Sequence, residues 1–90
     1  MDLKNYLMDA ITIVDAADKK TKLAIWCALS RYKIPSELSG VLPDNYESFD
    51  LYIKFDIAMI IMGRINESVG INECLHAGIK DMTNDNPVDN

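Results

Sequence analysis

The chain has 90 residues, 49% apolar and 26% charged, with 14 carboxylates against nine basic side chains and a net charge of −5. This length makes one small domain, and the apolar content excludes a wholly disordered chain. Charged or polar residues interrupt every apolar run before about 18 residues, which excludes a membrane span, and the acidic balance argues against nucleic-acid binding by bulk electrostatics.

The charge is uneven. Residues 1–18 hold four Asp against Lys4, whereas 19–33 hold Lys19, Lys20, Lys22, Arg31 and Lys33 with no acid; the remainder is again acidic. The basic run reads either as a contact patch or as one side of ion pairs across the fold, and charge runs more often do the second. No basic-then-apolar leader opens the sequence, since Asp2, Lys4 and Asn5 come too early. The two cysteines, Cys27 and Cys74, are too few for a disulfide-stapled secreted domain, so free thiols and a cytoplasmic location are expected.

In chain order, Leu3, Leu7, Ala10, Val14 and Ala17 follow the i, i+4, i+7 rhythm and predict a first helix over 2–17, with Asp2 as its N-cap. Asp18-Lys19-Lys20 is a polar break. A second helix is expected over 21–33, with Ile25, Leu29 and Tyr32 on one stripe and Leu23, Trp26 and Cys27 widening it; Pro35 ends it. Residues 34–44 are punctuated by Pro35, Gly40 and Pro43 yet contain Ile34, Leu38, Val41 and Leu42, so this link packs down.

Asp44-Asn45-Tyr46-Glu47 resembles a capping box and sets a third helix over 45–69. This segment also satisfies the strand period: Phe49, Leu51, Ile53, Phe55, Ile57, Met59 and Ile61 alternate. Helix is preferred because the run far exceeds a strand of about five or six residues, has no evident pairing partner, and contains Ala58, Met59 and Met62. An α+β fold is the alternative if 49–61 is a strand. As a helix it is apolar nearly all round. Leu51, Phe55, Ala58, Met62 and Ile65 define a side to seat on the other helices; Phe49, Ile53, Ile57 and Ile60, with Asp56 at the edge, define a second side for a partner. Gly70 reads as the helix stop, and Asn72 as the cap of a last helix over 72–82 with Cys74, Leu75 and Ile79 as its apolar side. The spacing of Gly63, Gly70 and Gly78 suits either close helix approach or ordinary caps and breaks. One domain over 1–83 and a disordered acidic tail over 84–90 are expected.

The chemistry-bearing inventory is thin. His76 is the single histidine, no nucleotide-binding glycine loop occurs, and Cys74 and His76 lie about 200° apart on a helix, unsuited to one tetrahedral ion. No enzyme, cofactor or metal is expected. Residues 19–40 have a weak helix-turn-helix character, but the turn lacks its glycine and Ser36, Glu37 and Ser39 are poor base readers. The expectation is therefore an all-α bundle of three or four helices. It would serve as an acidic, non-enzymatic protein-interaction module, self-associating as a homodimer or blocking the basic surface of another protein as an inhibitor or immunity-type protein. A small DNA-binding regulator is the alternative. Phe49, Ile53, Asp56, Ile57 and Ile60 are the expected interface.

Overall fold

The computed structural model describes residues 3–43 and 46–84, with side chains as far as 80. The chain forms α1 (Leu3–Ala16), α2 (Lys19–Ser30), α3 (Leu51–Val69) and α4 (Ile71–Asn84), with short 3-10 helices at Ser36–Val41 and Tyr46–Ser48 between α2 and α3. Among the described residues there is no strand, and the fold is an all-α bundle. The ambiguous segment is helical from Leu51 onward. Ile57, Ile61 and Ile65 recur at i, i+4 and i+8 and are all fully buried. A helix also closes its own backbone hydrogen bonds, whereas a lone strand here would have had no ladder partner.

The starts of α2 and α3 each trace to an aspartate that meets a free N–H group of the first turn. Asp18 caps α2, its side chain accepting the Thr21 N–H at 2.8 Å. Such a cap is worth about 1 kcal/mol, enough to offset Lys19 and Lys20 in the positively polarised first turn. The helix thus begins at Lys19, before the expected Thr21. It also stops earlier, at Ser30: the Lys33 N–H bonds Ala28 O at 2.8 Å and the Tyr32 N–H bonds Leu29 O at 3.0 Å, with Tyr32 at φ 58°. This is the Schellman pattern, made here with tyrosine at the left-handed position. The stop is set by that turn rather than by Pro35, which is buried in the link that follows.

The expected start of α3 is corrected. Asp50 is its cap, with Oδ1 accepting the Tyr52 N–H at 2.8 Å. Asp44 and Asn45, half of the expected capping box, lie outside the described residues, as does Asp2. Glu47 instead pairs with Lys54 at 3.5 Å, and the Lys54 ammonium sits 5.4 Å from the centre of the Tyr46 ring. Gly70, at φ 107°, ends α3 with its N–H on Asn66 O at 2.9 Å. α4 starts at once at Ile71, so Asn72 lies within its first turn rather than capping it. α4 extends to Asn84, one residue into the expected tail over 84–90; the rest of that tail, 85–90, lies outside the described residues.

α3 is the hub. α1 and α2 pack along it, α4 packs on α2 and α3, and the Ser36–Val41 segment seats on α1. The core joins Tyr6, Ala10 and Val14 of α1, Ile25 and Leu29 of α2, Leu38 of the link, Ile57, Ala58, Ile61 and Ile65 of α3, and Cys74 of α4. Each fully buried isoleucine contributes roughly 2–3 kcal/mol. α4 approaches α2 closely at Gly78, where a Cβ would fall 2.8 Å from Cζ3 of Trp26. Beside it the Cys27 thiol donates to Ala77 O at 3.4 Å. Arg64 grips Asp15 with Nε at 3.0 Å and Nη2 at 2.9 Å, tying α1 to α3. Lys19 pairs with Glu73 across α2 and α4, and the Lys22 ammonium donates to Ser68 at 3.3 Å. Part of the basic run is therefore engaged within the fold.

Candidate functional site

Because Ile57, Ile61 and Ile65 take the core side of α3, the 100° turn per residue carries Tyr52 and Met59 to roughly the opposite side. Leu51, Tyr52, Phe55 and Met59 are exposed on or beside that side, Tyr52 at 81%. α4 repeats the pattern. Cys74 is buried and Gly78 meets Trp26, so Ile71, Leu75 and Ile79 form an exposed ridge at i, i+4 and i+8. The expected division of both helices is corrected accordingly. Leu51 and Phe55 do not seat on the bundle, and Leu75 and Ile79 do not face the core, because the isoleucine stripe of α3 and the small residues of α4 occupy those sides.

Two adjoining depressions run along this face and share Met59 and Met62. The larger, about 240 Å3, lies between α3 and α4, with Trp26, Gly63, Asn66, Ile71 and Leu75 around it. The smaller, about 160 Å3, lies between α3 and the end of α2, with Leu29, Tyr32 and Phe55 around it. Among the described residues no charged side chain lines either one. The Tyr32 ring stacks on Phe55, centroids 6.2 Å apart and planes 29° off parallel. The left-handed backbone that places it there costs a non-glycine residue about 1–2 kcal/mol. Oδ1 of Asn66 is buried and accepts no hydrogen bond, the one such side-chain atom among the described residues.

The residues expected to form the interface do not share one surface. Ile57 is 1% exposed and belongs to the core, so its assignment to a partner-facing side is corrected: it begins the buried isoleucine stripe. Phe49 is half-buried against the core, its ring 5.5 Å from that of Tyr46. Ile53, Asp56 and Ile60 are exposed on one flank of α3, beside the depressions but not lining them. Sequence reasoning missed Tyr32, Phe55, Met59, Ile71 and Leu75. The signal for them was the placement of Gly63 and the flexible methionines opposite three β-branched isoleucines, which favour a fixed core packing.

Elsewhere the chemistry is sparse. A third depression, about 510 Å3 and open, lies between α2 and α4 beside Leu23, Glu73, His76 and Lys80. Glu73 is already paired with Lys19, and among the described residues no serine, threonine or cysteine nucleophile lines this cleft. Burial pushes the Cys74 thiol up, with Glu73 adding to the shift, which keeps it protonated and unreactive. Among the described residues no cluster of His, Cys, Asp and Glu could hold a metal ion, and no helix is long and apolar enough to cross a membrane. After Pro35, where a recognition helix would follow, the chain makes the short 3-10 helix Ser36–Val41 with Leu38 buried. Comparison with protein-family models, curated proteins and solved structures yields no match.

Proposed function

We propose that this chain is a non-enzymatic protein-interaction module whose working surface is the uncharged apolar face of α3 and α4. The observation that carries the reading is the contiguity of that face: Met59 and Met62 of α3 join a depression shared with Ile71 and Leu75 of α4 to one shared with Tyr32 and Phe55, and among the described residues neither is lined by a charge. Isolated exposed apolar residues are ordinary, but a joined patch of this kind marks a surface that works covered. The two methionines shared by the depressions suit the purpose, because an unbranched thioether side chain adapts to what is placed on it. Tyr32 adds support: its strained backbone holds an aromatic ring at the rim, and such strain concentrates at binding sites.

The net charge of −5 also suggests a basic partner, but among the described residues no acid lines the two depressions, and Asp56 lies at their flank. Several acids already serve the fold: Asp18 and Asp50 as caps, and Asp15 and Glu73 in ion pairs. Apolar contact, rather than charge, is therefore the recognition principle we assign. A photo-crosslinking residue at position 55 or 75, introduced in cells that express the chain, is expected to give discrete protein adducts. The same group at Lys20, exposed on α2, is expected to give none. Adducts in equal yield from all three positions, or from none, would overturn the reading.

A further inference from the structure

The occupant of this face follows from its own shape. We infer that it is a second copy of the same chain, docked about a two-fold axis so that the α4 ridge of each protomer fills the α3–α4 depression of the other. This inference rests on the interaction-surface reading above and names the partner.

The first argument is complementarity on one surface. Leu75 projects beside the depression that it helps to line with Met59, Gly63 and Ile71. A ridge and a groove side by side on one molecule are what a two-fold interface requires, since each patch must match itself after rotation. The second argument is area. Leu51, Tyr52, Phe55, Met59, Ile71 and Leu75 are each between 43% and 81% exposed. With Tyr32 they present roughly 700–900 Å2 of largely apolar surface, comparable to the share of about 800 Å2 per partner in a standard stable interface. The third is charge. Two chains of net charge −5 repel overall, and they meet at least cost across depressions that, among the described residues, carry no charged lining. That same charge disfavours an anionic membrane as the alternative cover.

The fourth argument is Gly63. It lies inside α3, and a Cβ built on it meets nothing within 4 Å. Neither the backbone conformation nor packing within the chain requires glycine there, unlike Gly70 with its positive φ or Gly78 against Trp26. Glycine in an exposed helix interior weakens the helix. It gains a purpose if the backbone of another helix crosses at that point, as small residues permit.

Gly63 therefore gives a test in which stability and association move in opposite directions. The full chain is followed by sedimentation velocity from 1 μM to 1 mM at neutral pH. The wild type is expected to form a dimer within that range. Gly63→Ala is expected to melt about 4–8 °C higher when measured at concentrations where the chain is monomeric, yet to dimerise at least tenfold more weakly. Leu75→Asp is expected to stay helical and monomeric throughout. A wild type that stays monomeric to 1 mM, or a Gly63→Ala variant that dimerises as well as the wild type, would overturn the inference. So would a Leu75→Asp variant that still dimerises. Trp26 is the single tryptophan and lines the depression, so its fluorescence separates the two readings. A monomeric wild type whose Trp26 emission responds to a neutral leucine- and alanine-rich helical peptide would reject the dimer and retain the interaction surface. A monomer that responds to phosphatidylcholine vesicles and not to that peptide would reject both, as would one that responds to neither.

Discussion

Tyr6 shows how a single buried group sets a pH limit on the fold. It is 5% exposed among core residues, and burial, with a smaller contribution from the neighbouring Tyr46, pushes its phenol up to about 12. The folded chain thus favours the neutral phenol. In the unfolded chain the same group ionises near 10. Its contribution is therefore complete below pH 10 and is lost as pH rises from about 10 to about 12, at most roughly 3 kcal/mol in total. Chemical denaturation of the wild type is expected to show falling stability over that window, and Tyr6→Phe is expected to remove most of the fall. A Tyr6→Phe variant with the same alkaline slope would place the sensitivity elsewhere, for instance at Tyr46, which burial and Glu47 also shift upward. The glycines divide by role at this same scale: Gly70 turns the chain, Gly78 admits Trp26, and Gly63 does neither.

At the scale of elements, α3 decides the molecule, and its orientation is checked by two isoleucines near each other in sequence. Ile57 is buried and Ile60 is 48% exposed. Ile57→Asp would bury an unpaired carboxylate in the core and is expected to cost more than about 4 kcal/mol, leaving the chain largely unfolded. Ile60→Asp is expected to change stability by less than about 1 kcal/mol. Far-UV circular dichroism with urea titration measures both, and equal losses would mean that the helix faces are misassigned. The existence of α3 was legible because its periodicity runs too long for a strand. Its rotation about its own axis was not. Nearly every side of α3 offers apolar residues, so the moment of the pattern is weak, and the choice fell to which stripe interlocks with α1 and α2 in three dimensions. The winning stripe, Ile57–Ile61–Ile65 with Ala58, lies between the two stripes expected from sequence. That is why Leu51 and Phe55 were placed inside and Ile57 outside. Ends were harder for a related reason. The capping-box pattern pointed to Asp44, whereas Asp50 caps α3, and the early stop of α2 depends on a tyrosine adopting a conformation that sequence rules reserve for glycine or asparagine. The candidate face inherits these errors. Its flank residues Ile53, Asp56 and Ile60 could be read from the sequence, while its centre required knowing how α3 is rotated and where α4 lies.

For the whole molecule, charge and apolar surface act against each other, and pH separates them. At neutral pH the net charge of −5 keeps copies apart at long range. Near the isoelectric point, about 4.6, that repulsion vanishes while the apolar face is unchanged. The fold itself should persist there. A side-chain hydrogen bond from Arg64 holds Asp15 below the usual carboxylate range, and the backbone and side-chain hydrogen bonds of Thr21 do the same for Asp18. With folded pKa values depressed, the stability from these groups is present above about pH 3.9 and is lost only as pH falls through the lower folded values. Acidification to pH 4.6 is therefore expected to raise light scattering steeply while the far-UV spectrum stays helical. Replacing Met59 and Leu75 together by Gln leaves the net charge unchanged and removes apolar surface from the face, so this variant is expected to stay clear at the same pH and concentration. If helicity is lost at the pH where scattering rises, unfolding drives the association. If the double variant scatters as strongly as the wild type, the α3–α4 face is not the sticking surface, and the apolar residues elsewhere on the bundle must be responsible.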